Sequence, residues 1–283
     1  MELQTSTIRG LNTGWLTNPK QDNRPTLLFL HGFPDTPYCW NLQTDCFAED
    51  YNIVVPFTRG LPPSEAPQQV DRYNPDATTL DLIKILEPYH DNSLFIVGHD
   101  LGCVYASRLA ETLGRKVTGL VLINGMDIRT FAKRLRNPTQ ALRSWYMYLM
   151  QVPLLPDFAA KHLEHKLQML AYKKGGLPPE KQPDAHELTG AVTGPLNQYR
   201  AFFRRTWDEL TRPHKKIKCP VLILFGDQDA FLTPPTTDEF MEFADDVAIR
   251  ILHGNHWIHR EQPETINDIL TQFFADNREP DHA

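Results

Sequence analysis

The chain lacks most of the features that mark specialised protein classes. It has only four cysteines in 283 residues, Cys39, Cys46, Cys103 and Cys219, and no Cys-x-x-Cys pair. That excludes a zinc ribbon or a disulfide-dense scaffold and fits reduced thiols in a cytoplasmic protein, with a Cys39–Cys46 bridge left open. No apolar run reaches the ~20 residues needed to span a bilayer. The opening MELQTSTIRG is polar and does not read as a signal peptide. Excess basic charge is missing too. The formal net charge is −6, so neither a nucleic-acid stripe nor a polybasic membrane anchor is expected. There is no His-Glu-x-x-His, and Gly254 argues against one helix carrying both His253 and His256, so no metal site and no cofactor are expected. Internal repeats and low-complexity tracts are also absent.

What remains is an ordinary globular composition, 41% hydrophobic and 23% charged. Short apolar runs stand between turn signals: Thr26–Leu30, Asn52–Pro56, Ser93–Gly98, Val117–Asn124, Pro220–Gly226 and Val247–Leu252. They do not alternate polar with apolar, which predicts strands covered on both faces, hence a mostly parallel sheet. Helical patterns fall between them over Thr78–Glu87, Val104–Leu113 and Glu264–Phe274, which is the rhythm of a doubly wound α/β fold. Residues 128–214 break the rhythm. They hold amphipathic, aromatic-rich helices around a GGLPPEKQP loop and read as a helical lid inserted between core strands. The expected division is therefore a core at 1–127 and 215–283 with the lid at 128–214.

Four stretches at strand ends carry chemistry. FIVGHDLGC (95–103) has the form strand, Gly-x-Asp-x-Gly, helix, which is a nucleophile elbow with Asp100 at its apex. HGFP (31–34) follows the first strong strand, FGDQDAF (225–231) the penultimate one, and GNHW (254–257) the last. Asp100, Asp229 and His256 thus occur in the order nucleophile, acid, base. Asp127, in Asn-Gly-Met-Asp after another strand, is the alternative acid. His31 is read as a packed core residue and His99 as a brace for the elbow. His253 and His259 are read as surface residues, Asp227 as a turn residue and Arg59-Gly60 as a structural turn.

An Asp at the elbow selects the reaction. A carboxylate attacking an ester would form a mixed anhydride with no advantage over Ser. At an sp³ carbon it forms an ordinary ester that water, activated by His256, can cleave. This excludes little by itself about the leaving group, which could be an alkoxide or a halide.

On these motifs the chain resembles the α/β-hydrolase superfamily, within its branch of epoxide hydrolases and haloalkane dehalogenases, over roughly Thr26–Asp127 and Ile217–Phe274. The resemblance implies an oxyanion hole from the backbone N–H groups of Phe33 and Leu101. Haloalkane dehalogenases typically have Trp where this chain has Leu101 and often Asn where it has Phe33. Fluoroacetate dehalogenases have an Arg pair where it has Leu101 and Val104. The departure at Leu101 is shared against many epoxide hydrolases as well. Two lid patterns resemble those around the epoxide hydrolase tyrosines: Tyr146 in YMYLMQVP and Tyr199 in NQYR, with Tyr148 as the alternative to Tyr146. The resemblance implies that these phenols protonate the ring oxygen. Phe33, Trp145 and Trp257 are expected to line the substrate pocket, and Phe202 and Trp207 also point to an apolar one. The expected partner is a small apolar substrate, with no nucleic acid or membrane. The expected activity is opening of an epoxide to a vicinal diol through an Asp ester. A dehalogenase and a non-catalytic small-molecule receptor on the same fold are the alternatives.

Overall fold

The computed structural model describes residues 1–278 except 90–92, 189, 193 and 214, and it does not describe the side chains at 155, 185, 186 and 205–207. Trp207 thus lies outside the described side chains. Eight strands form one sheet: β1 (Glu2–Ile8), β2 (Leu11–Thr17), β3 (Thr26–Leu30), β4 (Asn52–Pro56), β5 (Leu94–His99), β6 (Gly119–Ile123), β7 (Val221–Gly226) and β8 (Val247–Leu252). Their spatial order is β1-β2-β4-β3-β5-β6-β7-β8. From β4 to β8 every pairing is parallel; β1 and β2 form an antiparallel hairpin that joins the sheet through β2 and β4.

The central strands fold this way because they have no polar side to offer. β3, β4, β5, β6 and β7 are buried along their whole length. Helices cover both faces, making one cluster around Leu28, Ile96, Leu122 and Phe225 and another around Leu27, Phe95, Val121 and Phe274. Each such side chain contributes about 1.5–3 kcal/mol relative to exposure. The helices are Pro75–Leu86, Leu101–Leu113 and Pro263–Asn277, longer than the periodic pattern predicted because their first turns carry Pro or start at the elbow.

The hairpin is the part of the sheet that pattern reading missed. β1, ELQTSTI, is exposed over its first six residues, so it has no apolar face to announce it. Arg9 (φ 51°) and Gly10 (φ 79°) supply the two left-handed residues that a tight hairpin turn requires.

Between β6 and β7 lie the helices of the lid: Ile128–Arg134, Pro138–Arg143, Trp145–Leu149, Leu155–Gly175 and Leu196–Thr211. Buried polar groups seat them on the core. Arg134 pairs with Glu239 and donates to the Thr233 and Pro234 carbonyls. Gln198 donates to Thr58 Oγ1 and the Arg59 carbonyl. At this junction the backbones nearly touch: a Cβ on Gly194 would sit 1.5 Å from the Gly60 carbonyl oxygen. Arg59 pairs with Asp81 within the core, as a structural turn should. All four cysteines are free, so Cys39 and Cys46 form no bridge. No helix among the described residues is long and apolar enough to cross a membrane.

Candidate active site

β5 ends at His99, and Asp100 follows with φ 50° and ψ −119°. A non-glycine residue in such a conformation costs on the order of 1–3 kcal/mol, held by the surrounding structure. The sequence permits it by clearing the neighbourhood. A Cβ on Gly102 would meet the Leu30 carbonyl oxygen at 2.1 Å, and one on Gly98 would meet Gly102 at 2.8 Å. The turn leaves the Asp100 carboxylate at the carboxyl end of the sheet, facing the lid. There the Phe33 N–H donates to Asp100 Oδ1 at 3.0 Å, and His256 Nε2 lies 3.4 Å from Oδ2.

Behind His256, its Nδ1 is 2.7 Å from Asp229 Oδ2. The Asp229 carboxylate also accepts the N–H groups of Phe231 and Leu232, at 2.7 and 2.9 Å, and the side-chain amide of Asn124 at 2.8 Å. Asp127 does something else. It caps the helix Ile128–Arg134 by accepting from the Arg129 and Thr130 N–H groups, so the alternative acid is not brought to His256.

The charges settle each other. Burial alone would push the Asp100 and Asp229 carboxyls up, but His256 and the surrounding donors hold both below the usual carboxylate range. Burial likewise works against a charged His256. The two carboxylates prevail, and its pKa is raised to about 10. The resting triad is therefore carboxylate, imidazolium, carboxylate.

The lid closes over this group. Tyr146 and Tyr199 line a small chamber together with Asp100 and Leu101, their ring centroids 6.3 Å apart and edge to face. Burial first, then neighbouring charge that includes Asp100, pushes both phenols far above an ordinary tyrosine, so both stay protonated. Tyr148 is exposed and packs on Phe203. A second cavity of about 220 Å³ opens from Asp100 and His256 outward, lined by Phe33, Trp145, Tyr146, Leu170 and Phe231 among others. Phe202 lines the smaller chamber.

Two expectations are corrected. Trp257 lines neither chamber. It is fully buried and donates its indole N–H to Asp35 at 2.8 Å, because Gly175 lets a lid helix close onto its ring. His259 is not on the surface but fully buried, its ring 4.6 Å from that of Trp40 and 4.4 Å from that of His99. The turn after His256 points it inward, under the elbow. His253 is exposed and lies 3.3 Å from Asp227, which accepts the Gly254 N–H as a turn residue. His31 is buried and bonded locally to Gly32 and Thr58, and His99 bonds the His256 carbonyl at 2.9 Å.

Sequence reasoning missed Asp35, Asn124 and Lys174. Asp35 is fully buried, holds Tyr172 Oη at 2.6 Å as well as Trp257, and lies 3.7 Å from His99 Nδ1. Its place directly after His-Gly-Phe-Pro was the available signal. Asn124 had none beyond its strand end. Among the described residues no three His, Cys, Asp or Glu side chains are grouped to hold a metal ion.

A family model described as the alpha/beta hydrolase family matches residues 27–269. Epoxide hydrolase 4 of Mus musculus is 29% identical over 273 residues, covering 91% of this chain and 75% of that protein. Epoxide hydrolase 2 of Caenorhabditis elegans is 27% identical over 271 residues, covering 89% and 74%. A Bacillus megaterium epoxide hydrolase, solved in complex with an inhibitor, superposes with a TM-score of 0.81 at 26% identity, over 96% of this chain and all of that one.

Proposed function

We propose, from the premise that the chain belongs to the alpha/beta hydrolase family, that it opens an epoxide to a vicinal diol through an ester at Asp100. The observation that carries this is a pairing. A strained elbow carboxylate and two phenols, Tyr199 buried and Tyr146 half-buried, face one another across a single chamber, with an imidazole and a second carboxylate behind. A nucleophile for carbon and acids for oxygen are what ring opening needs. The mammalian, nematode and bacterial relatives named above as epoxide hydrolases support the same reading.

The protons balance. One Asp100 oxygen attacks a ring carbon, the C–O bond breaks, and Tyr146 or Tyr199 gives its proton to the leaving oxygen. Asp100 is now a neutral ester. One of the two charges that raised the His256 pKa has gone, so the imidazolium loses its hold on its proton and returns it to the phenolate. His256 is then neutral when a base is required. It takes a proton from water, hydroxide adds to the ester carbonyl, and the oxyanion is held by the Phe33 and Leu101 N–H groups. Collapse breaks the acyl C–O bond, the leaving oxygen takes the proton of the new carboxyl, and the diol departs from an Asp100 carboxylate beside the imidazolium already formed.

A halide leaving group would need N–H donors instead. The buried indole nearest the triad, Trp257, uses its N–H on Asp35. The test is a single turnover with excess enzyme in ¹⁸O-water. The label should enter Asp100 and be absent from the first diol released. Label in that first diol would mean direct attack by water and overturn the ester route.

A further inference from the structure

The proposed reaction leaves one charged group of the outer cavity without a role. Among the described residues lining it, Lys174 is the only charged side chain besides Asp100 and His256. It sits near the end of the lid helix Leu155–Gly175, with Nζ 4.9 Å from the ring centroid of Phe231, 5.8 Å from that of Tyr146 and 6.0 Å from that of Trp145. Phe231 in turn lies 4.9 Å from the His256 ring, so the ammonium is one ring away from the catalytic base.

Three aromatic faces attract this cation but accept few of its N–H bonds. No carboxylate among the described residues pairs with it. The charge that most affects it is another cation. Burial first, then Arg143, draws its pKa below that of a free lysine. Arg143 is fixed there by the carbonyl oxygens of Asp229 and Leu232, each at 2.6 Å. The lid as a whole has the same sign. Residues 128–214 carry fourteen Lys and Arg against seven Asp and Glu, in a chain whose net charge is −6. The entrance therefore carries an exposed lysine at the rim of an apolar opening, beside three aromatic rings and on a lid whose net charge is positive.

We propose that this mouth is an anion subsite, and that the substrate is an apolar epoxide bearing a carboxylate, which pairs with Lys174 while the epoxide carbon lies at Asp100. An anion there would form a charge-assisted pair beside aromatic walls, open to solvent and so sensitive to salt. The surrounding positive field would also steer it in. The substrate class rests on the epoxide reading; the anion subsite does not.

The test keeps the two apart. Binding of 4-phenylbutanoate and of its uncharged amide is measured calorimetrically on the wild type, Lys174→Met and Lys174→Arg. Lys174→Met keeps most of the apolar stem, and Lys174→Arg keeps the charge. The wild type should prefer the acid by about tenfold or more, Lys174→Met should bring that ratio close to one, and Lys174→Arg should restore most of it. The ratio should also shrink as salt rises from about 50 to about 500 mM. Equal affinities in the wild type, binding of neither ligand, or an equal loss on both in Lys174→Met would overturn the subsite; the last would make Lys174 a packing group for Phe231. The kinetic arm compares an epoxy acid with its amide, where the ratio of KM values should follow the same pattern. Turnover of neither, with the binding preference intact, would refute the epoxide reading and leave the subsite standing.

Discussion

Asp100 and His256 set each other's charge, and the proposed reaction uses that coupling. In the resting protein the imidazolium keeps the nucleophile ionised; once Asp100 is esterified, the histidine is freed to act as a base. The two phenols contribute at the first step only. Replacing both, Tyr146→Phe with Tyr199→Phe, should slow alkylation by roughly 10²–10⁴ in stopped-flow single turnovers, the range expected for lost general-acid help. An unchanged rate would remove the tyrosines from the mechanism. Asn124 acts at one remove. Its φ of 43° is a backbone state that Asn tolerates better than most residues, and its amide holds the Asp229 oxygen that faces His256. Asn124→Ala should therefore slow ester hydrolysis by about tenfold while leaving the alkylation burst in place, the signature of a positioning residue. The elbow, the HGFP loop and the order Asp100, Asp229, His256 were legible because each interrupts an apolar strand with residues no core would choose. Asp35 and His259 were not, since burial of a polar side chain depends on what folds over it. The choice between Asp229 and Asp127 needed the geometry for the same reason: both follow strands, and only one reaches His256.

At the scale of elements, function depends on how the lid is seated. The strands were readable from continuous apolar runs, whereas β1 was hidden by its exposed Ser and Thr residues and emerges only from its pairing with β2. The lid was recognisable as an interruption, but the angle at which its helices meet the core is fixed by contacts between distant residues. One such contact is the crossing of Gly60 and Gly194. Gly60 has a φ of 85° and its carbonyl oxygen occupies the place a Gly194 Cβ would take. Gly194→Ala must therefore displace the lid backbone. It should cost about 1–3 kcal/mol, the range for overpacking, and lower kcat/KM by shifting Tyr199, five residues on, away from Asp100. Equilibrium denaturation and steady-state kinetics would check both. Normal stability with normal kinetics would mean that the junction yields without moving the lid.

The whole molecule is polarised, with a cationic lid on an acidic core, and the lid's surplus does two things. Part of it fastens lid to core through pairs such as Lys133–Glu242, Arg134–Glu239 and Arg204–Asp71. Another part stays within the lid, as in Arg200–Asp157, and Lys174 stands at the cavity mouth. The net charge of the chain gave no hint of this, because a sum cannot show segregation. The buried triad also links stability to pH across the molecule. His256 titrates near 6.5 when unfolded and at about 10 when folded. Its protonation thus favours the fold fully below about 6.5, and that contribution is lost as pH rises towards 10. Thermal midpoints should decline across this window in the wild type and decline less in His256→Gln. Equal slopes would mean that the folded-state pKa is not raised.

The central claim is the ester at Asp100, and its most direct measurement is the intact mass of His256→Gln after incubation with small epoxides. Without its base the protein should take up one whole epoxide and keep it, with the added mass mapping to the peptide that holds Asp100. Absence of any adduct under conditions where the wild type releases diol, or an adduct at another residue, would contradict the account.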